Sequence, residues 1–387
     1  MHQIESMESI YFDNAATTAI RPEVLEAMVE VMRDIPGNPS STHAYGRKAK
    51  SLIENARKTI AKHLNVSAGE LVFTSGGTEA DNLIINSVVR DLGVRHIITS
   101  AIEHHAVVHV VEQLQKEYDV KVSHVKIKPC GSVDLEHLEE LLQESNEKTL
   151  VSLMHINNEI GNMLDINAVC ALCKEHEALF HSDMVQSIGH FEVDLKATPV
   201  DFVAASAHKF HGPKGVGFAF IRKNSGLRPL IFGGGQERGS RAGTEAVHNI
   251  VGMEKALQIS CEKMEEERAK IEGLKTYFIE KLRTEIPEVK LNGNCADTTK
   301  STYTLINVCL PIPADKALMT LFQLDLKGIA CSKGSACQSG SDQGSHVLNA
   351  FLNAEDRKKP SVRFSFSHEN TREEVDYTVD VLKQFIS

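Results

Sequence analysis

Apolar runs alternate with helical patterns between residues 71 and 221, and this alternation constrains the fold more than any other feature of the sequence. Strands that alternate with helices predict an α/β fold with a mainly parallel sheet covered on both faces. Ligands of such sheets bind at the carboxyl ends of the strands. The predicted strands are Leu71–Phe73, His96–Thr99, Val120–Ile127, Leu150–Met154, Ala178–Phe180, Phe202–Ala205 and Val216–Ile221, and the predicted helices between them are Glu79–Arg90, His105–Glu117, Leu135–Gln143 and Ile166–His176.

The segments on either side of the sheet predict flanking helices and a second, smaller unit. Helical spacing at Pro22–Met32 and Ala44–Leu64 precedes the sheet, and one long charged helix over Thr244–Leu282 leaves it. The remainder predicts a smaller α+β unit. Its expected strands are Tyr303–Leu310, Gly328–Ala330 and Val362–Phe366, and its expected helices are Ala314–Gln323, His346–Leu352 and Thr371–Phe385.

Composition excludes several classes of function. The chain has 387 residues and a net charge of −10, with no long basic tract, so binding to nucleic acid or to an anionic membrane surface is not expected. Neither a membrane-spanning run nor a signal-peptide pattern is present, and eight irregularly spaced cysteines do not indicate a disulfide framework. We therefore expect a reduced, cytoplasmic protein. Cys170 and Cys173 lie in a helical pattern without a second ligand pair, so we expect structural cysteines and no metal site.

Lys209 lies in Ser206–Gly217, between the last two predicted strands of the sheet and just before a Gly-Pro turn. A lysine at a strand end, among small and polar residues, can have its amine desolvated, which favours chemistry with a carbonyl group. The alternative is an ordinary solvated turn, which an isolated lysine favours.

Three further polar clusters follow predicted strands. Thr74-Ser75-Gly76-Gly77-Thr78 opens directly into a helix, which suits a phosphate but is equally consistent with a capped helix start. Asp183 follows another strand and, if buried and ionised, needs a cationic partner such as a protonated pyridine nitrogen; the alternative is a helix N-cap. The third cluster contains His104 and His105.

Two more segments carry candidate residues. Met154–Gly161, which contains Asn158, again follows a strand, and Gly233–Thr244 is a loop rich in hydrogen-bond donors. Cys337 lies in Cys331–Ser345, a run rich in glycine and serine that is not expected to pack, so we expect an exposed thiol. Because Lys333 is near, this thiol is a candidate nucleophile.

Together these motifs resemble the NifS/IscS-like cysteine desulfurases of the class V aminotransferase group. The resemblance covers Tyr11–Thr18 through Ser361–Phe366, almost the whole chain. It implies fold type I of the pyridoxal-phosphate enzymes, with a large domain around a mainly parallel seven-stranded sheet and a smaller α+β domain. We place the large domain at 16–258 and the small domain at 1–15 and 259–387.

The resemblance also implies roles for individual residues. Lys209 is the lysine expected to bind pyridoxal 5'-phosphate covalently, with Lys214 as a bystander. Asp183 is expected to contact the pyridine nitrogen, Gln186 the ring hydroxyl, and His104 to stack on the ring and move protons. The residues expected around the cofactor phosphate are Gly77, Thr78, Ser206 and His208.

The remaining implied roles concern substrate, sulfur and partners. Asn158 and Arg363 are expected to bind the carboxylate of L-cysteine, and Cys337 to accept the sulfur as a persulfide. Thr244 is expected to reach the phosphate in the other subunit, which implies a homodimer. Sulfur would then pass to an acceptor or scaffold protein for iron–sulfur clusters or thiolation.

The chain departs from the family pattern in two places. Lys333 stands where a serine is usual, and the sequence ends at Ser387 without the longer C-terminal tail through which housekeeping members meet their scaffold protein. We therefore do not expect delivery to a standard scaffold by that route. The alternatives are a selenocysteine lyase, a cysteine sulfinate lyase or an aminotransferase on the same scaffold, and a desulfurase-like protein with a structural or interaction role.

Overall fold

The computed structural model describes residues 9–313, 317–333 and 344–386. The helices are α1 Pro22–Asp34, α2 Ala44–His63, α3 Gly77–Leu92, α4 His105–Tyr118, α5 Leu135–Gln143, α6 Ile166–Glu175, α7 Val247–Glu262, α8 Met264–Glu285, α9 Thr320–Leu326, α10 His346–Asn349 and α11 Arg372–Ile386. The strands are β1 Ile10–Tyr11, β2 Leu71–Thr74, β3 His96–Ser100, β4 Lys121–Val125, β5 Thr149–Ser152, β6 Leu179–Asp183, β7 Phe202–Ser206, β8 Gly217–Ile221, β9 Lys290–Leu291, β10 Leu305–Cys309, β11 Ile329–Ala330 and β12 Ser361–Ser365.

The central sheet has seven strands in the order β2-β8-β7-β6-β5-β3-β4. The pairs from β7 to β4 are parallel, and β8 runs antiparallel to both β7 and β2. Apolar side chains on the two faces of the sheet belong to two separate buried clusters, of which one includes residues of α1, α2 and α7 and the other residues of α3 and α4. The predicted α/β class and mainly parallel sheet are therefore confirmed.

A second core forms around β10, which pairs antiparallel with β12 and β9. Its buried residues include Phe12, Phe278, Phe364 and Phe366, whose rings contact one another. The N-terminal strand β1 pairs in parallel with β11, so the first described residues pack with the C-terminal part of the chain. The domain boundaries given above remain predictions.

The predicted helix over Thr244–Leu282 is two helices, α7 and α8, which are separated at Lys263 (φ −102°, ψ 6°). Three acidic residues, Glu265, Glu266 and Glu267, occupy the first turn of α8. Negative charge stabilises a helix N-terminus through the peptide dipoles, so this acidic run marks a helix start within the predicted single helix.

Two shorter corrections concern the C-terminal part. Of the helix predicted at Ala314–Gln323, residues 314–316 lie outside the described residues, and the described part is a 3-10 turn at Ala317–Met319 followed by α9, which runs on to Leu326. The helix predicted at His346–Leu352 is only the single turn α10, whose N-terminus is capped by Ser345. Across the described ranges, no helix combines the length and the apolar composition that crossing a membrane requires.

Candidate active site

A cavity of about 260 Å³ lies at the carboxyl ends of the parallel strands. Its lining contains residues from every polar cluster that the sequence placed at a strand end, and Arg363 of β12 from the C-terminal part. The predicted site residues that line it are Gly77, Thr78, His104, Asn158, Asp183, Gln186, Ser206, His208, Lys209 and Arg363.

Lys209 enters the cavity from a 3-10 turn, Ala207–Lys209, that directly follows β7. Its Nζ donates hydrogen bonds to the carbonyl oxygens of Ala15 at 2.6 Å and Ala16 at 2.9 Å. The backbone carbonyl of Lys209 accepts a hydrogen bond from Nε2 of His190 at 2.8 Å. Both ends of the lysine are thereby oriented by groups distant in sequence.

Asp183 is the last residue of β6 and is 6% exposed. Its Oδ1 accepts the backbone N–H of Val185 at 2.9 Å. Burial raises the pKa of Asp183 to about 6, and the Val185 N–H and the Lys209 ammonium act against that rise. A buried carboxylate of this kind is stabilised by a cationic group in the cavity.

Two further buried carboxyls, Asp81 and Glu103, lie near Asp183. Burial raises the pKa of Asp81 well above its ordinary value and that of Glu103 to about 8, and the charge of Asp183 adds to both shifts. Glu103 also accepts hydrogen bonds from Ser100 Oγ at 2.6 Å and from the N–H of Met154 at 2.8 Å. Because like charges do not share a buried site, Asp183 is the carboxyl of the three that ionises most readily.

The first turn of α3 closes another side of the cavity. Gly76, at φ 157° and ψ −175°, has a conformation that is essentially restricted to glycine. At Gly77, a Cβ atom would lie 2.6 Å from Cγ2 of Val185, so any larger residue would require Val185 to move. The opening N–H groups of a helix have no carbonyl partner within it, and they attract anions. With Ser206 and His208 on the same cavity, these residues could hold a phosphate group.

His104 is the N-cap residue of α4, and its Nδ1 accepts the N–H of Ala106 at 3.1 Å. Burial, with the Lys209 ammonium as the next contribution, lowers the pKa of His104 to about 4. The imidazole is therefore neutral at pH 7 and carries its proton on Nε2.

Arg363 and Asn158 meet where the C-terminal part of the chain joins the central sheet. Nη1 of Arg363 donates to the backbone carbonyl of Asn158 at 2.7 Å, and Nη2 forms an ion pair with Asp13 at 2.8 Å. Arg363 is 1% exposed. A buried guanidinium that also lines the cavity is suited to a carboxylate ligand, since its planar donors match both oxygens.

Two predicted site residues do not line this cavity. Thr244 is exposed and does not contribute to the lining, and Cys337 falls outside the described residues. Cys170 and Cys173 are both buried in α6, and burial raises both thiol pKa values. Within the described ranges, no three His, Cys, Asp or Glu side chains form a group that could hold a metal ion.

The sequence did not single out several lining residues. Ala15 and Ala16 contribute carbonyl groups, and they lie in the Tyr11–Thr18 segment, which the family resemblance includes without giving these two residues a role. Glu159 follows Asn158 directly and shares its strand-end position. His346 follows the glycine- and serine-rich segment, and nothing in the local sequence indicates that it reaches the cavity.

Comparison with known proteins agrees with this architecture. Residues 10–378 match the model of the aminotransferase class-V family. A cysteine desulfurase IscS from Dictyoglomus turgidum is 40% identical over 97% of this chain and 94% of its own length. A solved NifS-like protein has 36% identity and a TM-score of 0.88, covering 97% of this chain and 98% of that one. A structure described as SspA in complex with cysteine has 31% identity and a TM-score of 0.79, covering 93% and 99% of the two chains.

The chain belongs to the aminotransferase class-V family, and within it to the NifS/IscS-like cysteine desulfurases. The resemblance inferred from the motifs and the fold type it implied are therefore confirmed.

Proposed function

We propose that this protein is a pyridoxal-phosphate-dependent cysteine desulfurase, which converts L-cysteine into L-alanine and transfers the sulfur to Cys337 as a persulfide. One observation carries the proposal: a lysine amine, a buried carboxyl and a glycine helix start line one cavity, together with a buried arginine. Those groups match the aldehyde, ring nitrogen and phosphate of the cofactor and the carboxylate of an amino acid.

The residues of the cavity fit the cofactor. Asp183 is a buried carboxyl that needs a cation, and a protonated pyridine nitrogen provides one. Gly77, Thr78, Ser206 and His208 would hold the phosphate at the start of α3. When bound, pyridoxal phosphate supplies an electron sink that weakens the bonds at the substrate Cα.

The residues of this chain bind the substrate and move its protons. Arg363 and Asn158 hold the α-carboxylate, which fixes the orientation of Cα in the cavity. The amine of Lys209 takes the Cα proton as a general base and returns it later as an acid. His104, neutral and with its proton on Nε2, lines the same cavity and donates a hydrogen bond from Nε2.

Sulfur transfer requires the thiolate of Cys337. This thiolate attacks the substrate sulfur, so that an S–S bond forms while the Cβ–S bond breaks and its electron pair returns to the alanine skeleton. Protonation at Cβ then completes L-alanine. A protein acceptor that removes the persulfide sulfur, for iron–sulfur clusters or thiolation, remains the predicted partner.

We also propose that the protein acts as a homodimer in which Thr244 contributes to the partner's phosphate site. Two features of the described surface support it. Thr244 is exposed, and Leu25, Val29 and Met32 form an exposed apolar stripe along one side of α1. Sedimentation of the wild type and of Thr244→Ala gives the mass, and dialysis and turnover assays give cofactor retention and activity. A dimer whose Thr244→Ala variant retains less cofactor supports the proposal. A fully active monomer contradicts it.

The proposed activity is tested by incubating the cofactor-loaded protein with L-cysteine and a reductant. Release of L-alanine and sulfide in equal amounts supports the proposal. A parallel panel with L-selenocysteine and cysteine sulfinate separates the related lyases, because preferred turnover of either replaces L-cysteine as the substrate. Bound cofactor without product from any of the three contradicts an enzymatic role for these substrates and favours a binding function.

A further inference from the structure

Glu159 is a fully buried acid at the cavity whose role nothing above assigns. It is 0% exposed and lines the cavity next to Asn158. Its backbone is fixed at both ends, because its N–H donates to Oδ1 of Asn157 at 2.9 Å and its carbonyl accepts from Nδ2 of Asn307 at 3.0 Å. The direction of the side chain is therefore set by the fold.

The two carboxyl oxygens of Glu159 have different surroundings. Oε2 accepts a hydrogen bond from the hydroxyl of Ser345. That hydroxyl also accepts the N–H of Leu348 at 3.1 Å, so its only proton is committed to Glu159. Oε1 is buried and has no hydrogen-bond partner among the described residues. A proton on this carboxyl therefore belongs on Oε1, the oxygen that lacks a partner.

The charges around Glu159 favour that proton. Burial raises the pKa of Glu159, while Ser345, His346 and Arg363 act against the rise. Arg363 already forms an ion pair with Asp13. If Glu159 were ionised, a substrate carboxylate bound at Arg363 would be the third anion beside one guanidinium. Like charges in a buried site raise each other's proton affinity, so substrate binding retains the proton on Glu159.

We propose that Glu159, in its neutral form, donates a hydrogen bond from Oε1 to the α-carboxylate of the bound amino acid, as a third contact beside Arg363 and Asn158. This inference rests on the proposed function, because it takes Arg363 as the carboxylate site. It predicts that amino-acid binding requires a donor at position 159 and not a negative charge.

The experiment measures the dissociation constant of L-alanine from the change in the visible band of the cofactor-loaded protein between pH 6 and 9. L-Alanine carries the carboxylate but no thiol, so it isolates the proposed contact. Glu159→Gln retains a donor without a charge, and Glu159→Leu removes both. Glu112→Gln, at an exposed acid of α4 outside the cavity lining, is the matched control.

The inference predicts wild-type affinity near pH 6 for Glu159→Gln and a loss of roughly ten- to a hundredfold for Glu159→Leu, the range for hydrogen bonds to charged groups. Where rising pH ionises Glu159, binding by the wild type and the control weakens, and binding by Glu159→Gln does not. A loss of about tenfold or more in Glu159→Gln at pH 6, or unchanged affinity of a folded Glu159→Leu, overturns the inference. No spectral response of the wild type to L-alanine or L-cysteine overturns the proposed function as well.

Discussion

The Nζ atom of Lys209 lies 2.6 Å from the carbonyl oxygen of Ala15, a residue 194 positions earlier in the chain. The same carbonyl accepts a hydrogen bond from Nε2 of Gln186 at 3.0 Å. One backbone group near the N-terminus thus orients two side chains for which the family resemblance implies cofactor contacts. The N-terminal segment is therefore part of the site and not only a lead into the fold.

Replacement of Asp183 by Asn is expected to change stability and cofactor binding in opposite directions. In the cofactor-free protein, the pKa of Asp183 is about 6, above its ordinary value of 3.8, so the folded state binds more protons than the unfolded state in that interval. Stability accordingly falls as the pH rises from about 4 to 6. Asp183→Asn removes this loss, and its urea midpoint at pH 8 should rise by the equivalent of about 1–3 kcal/mol.

The cofactor-loaded form of the same variant should behave in the reverse way. The amide of Asp183→Asn cannot pair with a protonated ring nitrogen, so cofactor retention on dialysis and turnover should both fall. A variant that loses stability without cofactor at pH 8, or that retains full turnover, would contradict the role given to Asp183.

His104→Gln removes the ring that the family resemblance stacks on the cofactor and changes its Nε2–H donor, so turnover should fall by about ten- to a hundredfold, the range for a lost hydrogen bond to a charged group. Since burial holds the pKa of His104 near 4, the imidazole stays neutral from pH 5 to 8, and the wild-type profile should show no step from this group there. His109→Gln, on the exposed side of α4, is the control and should retain activity. Equal effects of the two substitutions on turnover would count against the assignment.

The buried pair of Arg57 and Glu237 is expected to stabilise the loop that leads to Thr244. The two terminal guanidinium nitrogens of Arg57, Nη1 and Nη2, donate to Glu237 at 2.7 and 2.8 Å, and Glu237 also accepts the N–H of Phe73. Glu237→Leu removes the two-bond partner of buried Arg57 and leaves it the longer ion pair with Glu54 at 3.3 Å, so the change should cost about 3–5 kcal/mol in urea unfolding. Arg33→Ala, which breaks an exposed pair with Asp34, should change stability by about 1 kcal/mol or less.

Cys337→Ala should abolish persulfide formation while the visible band of the cofactor persists, because the thiol is needed for sulfur transfer and not for cofactor binding. Cys130→Ala is the matched control, since Cys130 is an exposed cysteine. Burial raises the pKa of its thiol, but hydrogen bonds with Ser132 outweigh that effect, so the pKa is lowered overall. Persulfide detected by mass spectrometry in Cys337→Ala but lost in Cys130→Ala would transfer the role to Cys130.

The sequence predicted the elements of the central sheet and the residues at their carboxyl ends, because each such residue is adjacent in sequence to its strand. Asp183 and Lys209 are found from local patterns for this reason. The contribution of Ala15 depends on contacts across 194 residues, which no local pattern records. The boundary between α7 and α8 at Lys263 is indicated by the three glutamates that follow it. The helical spacing continues across this boundary, so the sequence predicted one helix.

Glu159 and His346 show the same limit. Their place at the cavity depends on how α10 packs against two segments. Ser345, the cap of α10, donates to Glu159 after β5, and Nε2 of His346 donates to the carbonyl of Glu103 after β3. The family resemblance supplied Arg363, which lies in the C-terminal part of the chain and shares no local motif with Asn158. Spatial neighbours from distant segments therefore required either the structure or the family.

We infer that Lys209 holds the cofactor covalently, and borohydride reduction of the cofactor-loaded protein followed by peptide mass mapping is the most direct test of this linkage. Reduction converts the linkage into a stable pyridoxyl-lysine. The account predicts the label on Lys209 and its loss in Lys209→Ala, with unchanged labelling in Lys214→Ala, whose lysine is exposed and outside the cavity. Labelling at Lys214, or none at Lys209 despite bound cofactor, would contradict it.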